Sequence, residues 1–285
     1  MNHHGRNDAT VQQAVKSLFL GIAPERSSEL QDFWDTLQLQ FCLFEDRDQV
    51  MMEAGAYRYV HFNNRALRVV WVSAFAAWEA YSLSAAAVIE GKIKSLDRLN
   101  ELLQLALDVR DASDPELVPL AGLPDPGFLP DIQTEPEQRT AAELAIFAAG
   151  WAMLHEVQHL KHQQEGTSVG LDATPDLARK EELSCDLFAA YFLIQDVQRY
   201  AEESGYDATL IRQKRSLGIY FAMFALVVLS HPKWEETESH PSVQERIHAI
   251  RHHLIGDQFD EALCIAQLAF FSLRVIWQSA PKLIG

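Results

Sequence analysis

Cysteine is scarce in this chain of 285 residues: Cys42, Cys185 and Cys264 are odd in number and show no C-x-x-C spacing. That argues against a secreted disulfide framework and for a reducing, cytoplasmic setting. Positive charge is short too. The 24 Lys and Arg against 40 Asp and Glu leave a net charge of -16 that no basic patch offsets, which argues against binding a nucleic-acid backbone or an anionic membrane surface. The opening Met1-Asn2-His3-His4-Gly5-Arg6-Asn7-Asp8 has no apolar signal region, and its histidine pair reads as a frayed tail. No repeat, heptad array or low-complexity tract is present. Long apolar runs are few. Residues 69–89 could span a bilayer but contain Glu79 and many Ala and Ser, while 217–229 is too short and ends at Ser230-His231-Pro232. Both read as buried core helices, leaving peripheral membrane association at most.

What is present is His155-Glu156-Val157-Gln158-His159. On a helix, positions four apart lie one above the other, so both imidazoles can reach one ion while Glu156 stands beside it, where a water would be activated. The competing reading is an exposed amphipathic helix end. The context favours the metal. Thr134-Glu135-Pro136-Glu137 reads as a capping box with proline in the first turn, and a run apolar on nearly every side leads from Ala141 to Leu154 and straight into His155. Buried imidazoles need partners, and a metal is one. Gly166 is the expected stop. His162 shares the face of His155 but sits about 10 Å further along a straight helix, too far to join the same ion, and is read as a neighbour of the ligands or solvated.

Thr174-Pro175-Asp176 opens the next helix as N-cap and N1. In it Glu182 and Asp186 are four apart, so one carboxylate can bind the ion while the other takes the N–H of a ligating histidine. Glu181, about 100° round the helix from Glu182, reads as a charge favouring the helix dipole. Further on, Ser239-His240-Pro241 precedes a helix with Arg246 about two turns in.

With these three motifs in order, the chain resembles gluzincin zinc metallopeptidases: the HtpX and CAAX-prenyl-endopeptidase group, with its HExxH, ExxxD and His-Pro…Arg pattern, and the family of the phage-exclusion peptidase Lit. The resemblance covers about residues 134–250. It implies zinc on His155, His159 and Glu182, Glu156 as general base, Asp186 orienting a ligand, and His240 or Arg246 near the reacting carbonyl; His231, before Pro232, is the rival donor. The sequence departs from the endopeptidase group at Cys185, where that group has alanine, and in lacking evident membrane spans, so a prenyl-protein role does not transfer. Cys185 reads as a small buried residue, although a thiol beside a metal could also bind it or be oxidised.

The expected architecture is mainly α, an α+β zincin-like core of packed helices with a small sheet or hairpin, in one domain over 1–285. Residues 1–53 form an N-terminal helical region, and 54–285 carry the hairpin, a backing helix, the active-site helix and the C-terminal helices. The hairpin is placed at 57–62 and 66–72 around Asn63-Asn64, the backing helix at 73–90 and another at 96–109. Six prolines, at 115, 119, 124, 126, 130 and 136, make 113–136 a long loop, either a border of the substrate groove or a plain linker. The implied function is a zinc endopeptidase acting on an intracellular protein or peptide, with a role in phage exclusion suggested by the Lit likeness. Two other classes stay open. Glu156-x-x-His159 and Glu245-x-x-His248, with Glu79 and Glu182, have the ligand count of a di-iron carboxylate bundle. Alternatively, the fold serves as a catalytically silent binding protein, against which stands Glu156, needed for turnover and not for coordination.

Overall fold

The computed structural model describes residues 8–37, 40–44, 52–55, 59–91, 95–170, 173–254 and 260–284. The His3-His4 pair and residues 57–58 of the expected hairpin lie outside them. The protein is mainly helical, with one apolar core running from Val15 to Leu283.

Two N-terminal helices, α1 (Asp8–Gly21) and α2 (Ser27–Thr36), precede three short strands, β1 (Gln40–Phe44), β2 (Met52–Gly55) and β3 (Tyr59–Asn63). The strand order is β1-β3-β2, with β3 parallel to β1 and antiparallel to β2. Then follow α3 (Asn64–Glu90), α4 (Asp97–Asp111), α5 (Pro136–Glu165), α6 (Pro175–Ile194), α7 (Val197–Ser204), α8 (Ala208–Ser230), α9 (Val243–Leu254) and α10 (Glu261–Ile276).

The expected hairpin over 57–72 is not formed. Asn63, read as a turn residue, caps α3 instead: its side-chain oxygen accepts from Ala66 N at 3.0 Å. Val69, Val70, Trp71 and Val72 are all buried at successive positions. A one-sided strand cannot bury four neighbours in a row, whereas a helix enclosed on all sides does. The strand partners of β3 are therefore β1 and β2. The predicted capping box also fails, because the N-cap of α5 is Glu135 and no side chain caps it.

By length and composition α3 would be able to cross a membrane. Here it packs against α4, α5, α8 and α10, and most of its residues are buried. The proline-rich loop before α5 lies over α3 and α4: Trp71 Nε1 donates to Pro124 O at 2.9 Å and Arg68 Nη2 to Val118 O at 3.1 Å. It contributes nothing to the lining of the cavity described below, which removes it as a groove border.

Helix α5 sits between α3, α6 and α8. Close approach is permitted by glycine: a Cβ on Gly218 of α8 would collide with Phe147 of α5. The far end of α6 is pinned by the turn at Pro24–Arg26, where Arg26 Nη1 donates to Phe192 O at 3.0 Å. The buried Arg215–Glu25 pair, with Arg215 Nη1 on Leu193 O at 3.0 Å, ties the same turn to α8. These contacts fix α5 and α6 side by side, the arrangement the site requires.

Candidate metal centre

Helix α5 brings His155, Glu156 and His159 out of the core one turn above Trp151, and α6 faces them with Glu181, Glu182 and Asp186. Because α5 is apolar around most of its circumference, His155 and Glu156 emerge buried. The ligand atoms converge: His155 Nε2 and His159 Nε2 are 3.2 Å apart, Glu182 Oε1 is 3.2 Å from His159 Nε2, and Glu182 Oε2 is 3.4 Å from His155 Nε2. Ligands at about 2.0–2.1 Å around a tetrahedral ion stand about 3.3–3.4 Å from one another. The separations are thus of the size that a tetrahedral zinc sets, the two from Glu182 running to different oxygens, and the three side chains form the one group among the described residues that could hold a metal ion.

The other ring nitrogens are held from behind. Asp186 Oδ1 lies 2.8 Å from His155 Nδ1, and Glu181 Oε1 lies 3.0 Å from His159 Nδ1. Once an imidazole is neutral, a carboxylate beside Nδ1 favours the tautomer with the proton there and leaves the Nε2 lone pair for an ion. Asp186 is clamped in turn by Arg246, whose Nε and Nη2 donate to its two oxygens at 2.7 and 2.6 Å. Glu181 also accepts from Val169 N at 2.6 Å and from Ser168 Oγ at 3.3 Å, which ties the loop after α5 to the histidine.

In the metal-free protein this packing of charge moves His155, His159, Glu182, Asp186 and Glu156. Burial alone would lower the pKa of His155, but the Asp186 and Glu182 carboxylates outweigh it and raise the imidazole to about 10. His159 is raised for the same kind of reason, chiefly by Glu182 against burial. Burial would raise Glu182, yet the two imidazoles hold it far below the carboxylate range. Asp186 stays low despite burial because of Arg246 and His155. Glu156 goes the other way, pushed up by burial. Its carboxylate is the one of this set that favours a proton, as a base poised for transfer requires.

The cluster opens into a cavity of about 560 Å³ between α5, α8 and the loop before α9. His155, Glu156, His159, Glu182, His240 and Arg246 all belong to its lining. His240 is held in a local turn by Thr237, its Nδ1 is 2.8 Å from Ser239 Oγ, and its Nε2 is 3.7 Å from Glu182 Oε1.

The sequence matches the model of a family described as Peptidase U49 over residues 60–265, a span that contains every one of these side chains. The chain belongs to the peptidase U49 family. It is therefore a peptidase, with a protein or peptide substrate. Among curated proteins and solved structures, nothing matches it.

Measured against the sequence expectations, the structure brings His155, His159, Glu182, Glu156, Asp186, His240 and Arg246 to one place. Glu181 is corrected: rather than sitting free at a helix N-terminus, it is turned inward onto His159. The miss arose because the turn of α6 that faces α5 depends on how the two helices pack, which spacing along one helix does not encode. The only sequence signal was a second carboxylate adjoining Glu182. Arg246, expected beside the reacting carbonyl, has two of its nitrogens engaged by Asp186. His231 stacks on Trp277 with centroids 4.1 Å apart and does not line the cavity. His162 bonds with Thr167, Ser184 and Gln158 instead of joining the cluster. Cys185 is fully buried, and its thiol is pushed up by burial and the surrounding carboxylates, which leaves it a packing residue. Glu245 and His248 face solvent on α9, so the two E-x-x-H pairs do not meet as a di-iron centre requires.

Proposed function

We propose that this peptidase is a zinc-dependent endopeptidase of the gluzincin type, with the metal held by His155, His159 and Glu182. The observation that carries the reading is the 3.2–3.4 Å triangle of two Nε2 atoms and a carboxylate, with the buried, proton-favouring Glu156 beside it. When bound, zinc supplies Lewis-acid chemistry, acidifying water and polarising a carbonyl. The protein's own groups do the rest. Glu156 takes the proton of the attacking water and hands it to the departing amine, a transfer suited to a carboxyl whose pKa burial has raised. His240 is lowered by burial and by its cationic neighbours, so it is neutral at pH 7. With the Ser239 hydroxyl donating to its Nδ1, its Nε2–H faces the cavity and donates to the developing oxyanion. Arg246 acts at one remove, holding Asp186 and through it His155.

We extend the proposal to an intracellular protein substrate in the cytoplasm, on the strength of the unpaired Cys185 and Cys264. The Lit resemblance makes cleavage of a host protein in phage exclusion the role we assign. The deciding experiment compares cells expressing the wild type with cells expressing Glu156→Gln, by metal analysis and by proteomics of new protein termini. The variant is expected to retain one equivalent of zinc and to generate none of the new termini. Undiminished cleavage by Glu156→Gln would sink the mechanism, and a wild type that binds no zinc would sink the cofactor.

A further inference from the structure

Two surfaces of opposite character lie outside the proposed chemistry, and the first is on α10. One face of this helix, with Ala262, Ala266, Ala269 and Leu273, is buried. On another, Phe271 and Val275 stand one turn apart and are 67% and 49% exposed. The C-terminal tail is pinned beside them: the Gln244 side chain makes two bonds of 2.7 Å with the backbone of Lys282, and Arg251 Nη1 donates to Leu283 O at 3.5 Å. Between helix and tail runs a groove of about 570 Å³, lined by Phe271, Val275 and Ile284 together with Arg274 and Lys282. No carboxylate lines it. Arg274 Nε is buried without a partner, and among the described residues neither Arg274 nor Lys282 is in an ion pair. A cationic apolar groove is unusual on a chain of 40 Asp and Glu against 24 Lys and Arg.

The second surface is the proline-rich loop. Residues 111–138 hold seven Asp or Glu and no Lys, Arg or His. Asp125-Pro126-Gly127-Phe128 forms a β-turn in which Phe128 N donates to Asp125 O at 2.9 Å, with proline at the second position and Gly127, at φ 85°, at the third. In a following turn Asp131 O accepts from Thr134 N at 3.2 Å and Glu135 N at 2.8 Å. These turns hold out Phe128 and Ile132, which are 61% and 50% exposed, beside the exposed Asp125 and Asp131. Apolar side chains exposed singly are ordinary, whereas their grouping marks a contact surface. Within one copy the two surfaces are apart. The loop is held at Trp71 and the groove at Ser84, whose Oγ donates to Leu268 O at 3.0 Å, and these points lie about 20 Å from each other along α3.

We infer that the acidic loop of one copy of this chain docks in the α10 groove of a second copy. Phe128 and Ile132 enter against Phe271, Val275 and Ile284, and Asp125 and Asp131 meet Arg274 and Lys282. Charge and shape are complementary: the loop supplies carboxylates and apolar side chains, and the groove supplies cations and an apolar lining. Buried aromatic and Arg anchors carry most of the energy of such contacts. The preset turns and the pinned tail reduce what must be ordered on association. The like net charges of the two copies are screened beyond about 8 Å at physiological ionic strength, so the charges in contact decide. A contact between unlike surfaces closes as a pair when each copy gives its loop to the groove of the other. Neither surface lines the cavity at the metal centre, so the inference is independent of the peptidase reading.

The test is sedimentation of the full-length protein over a range of concentrations at about 0.15 M salt. The wild type is expected to self-associate. Phe128→Asp in the loop and Phe271→Asp in the groove should each weaken that association about 30-fold or more, the scale on which an aromatic anchor counts. Circular dichroism checks that each variant is folded; if Phe271→Asp is not, the exposed Lys282→Glu takes its place. Mixing the two variants is decisive. The Phe271→Asp copy keeps its loop and the Phe128→Asp copy keeps its groove, so the mixture should form a one-to-one complex at concentrations where neither variant associates alone. A wild type that stays monomeric would overturn the inference and leave the groove to an acidic segment of another protein. Phe128→Asp associating as the wild type does would overturn it in favour of groove packing on groove. A mixture that stays monomeric would overturn it as well.

Discussion

A single carboxylate, Glu181, joins three parts of the molecule: the imidazole of His159, the backbone N–H of Val169 and the hydroxyl of Ser168. Replacing it with glutamine leaves an oxygen for one of these donors but sets an amide against the rest, and a glutamine N–H directed at His159 Nδ1 would select the tautomer whose Nε2 carries the proton. Glu181→Gln is accordingly expected to weaken zinc binding about 10- to 100-fold, as losses behind a metal ligand do. Chelator competition measures it, and an affinity equal to wild type would return Glu181 to the role of a helix-end charge. At this scale the grouping of His155, Glu156 and His159 was legible from their spacing on one helix, while Glu182 as their partner followed from the family resemblance. The sequence was silent on Glu181, whose role depends on the rotation of α6 against α5.

Among elements, the α5–α8 contact matters most, because one of these helices carries the histidines and both wall the cavity. Its closeness depends on Gly218 against Phe147. Gly218→Ala should overpack the contact and cost about 1–3 kcal/mol of unfolding free energy. In a Phe147→Gly background the same substitution should cost distinctly less, since the collision is with the Phe147 Cβ, which glycine lacks. Urea unfolding of the four proteins reads the coupling, and strict additivity would show that the pair does not meet as described. A milder effect belongs to the β3–α3 junction. Asn63→Ala removes the cap from Ala66 N and should lower stability by about 1 kcal/mol, visible as a lower urea midpoint at unchanged slope.

For the whole molecule, the proposed ligand set makes proton and metal competitors at one site, and the signs oppose each other. In the metal-free protein His155 is raised from 6.5 to about 10, so its contribution to stability is fully present below about pH 6.5 and is lost as pH rises through 10. Glu182 and Asp186 are depressed, so theirs is present above the ordinary carboxylate range and lost as pH falls through their lowered values. Zinc needs both imidazoles neutral, and binding must expel the proton that His155 holds. The rise in melting temperature on adding zinc should therefore grow between about pH 5.5 and 8.5, with net proton release on binding in calorimetry. A zinc increment that is flat over that range would contradict the ligand set.

The sequence alone indicated the helical class, the stop of α5 at Gly166, the start of α6 at Pro175 and the pairing of His155 with His159 on one helix face, because these depend on neighbours within a turn or two along the chain. It misplaced the hairpin, since a stretch buried on every side shows neither a clean period of two nor one of 3.6. Only the tertiary structure decided that Glu181 backs His159, that Arg246 serves Asp186, and that the proline loop lies over α3 away from the cavity. Each of these is a relation between elements distant in sequence. Such relations are set by helix rotation and spacing, which follow from packing the whole core at once and leave no periodic trace in any one segment.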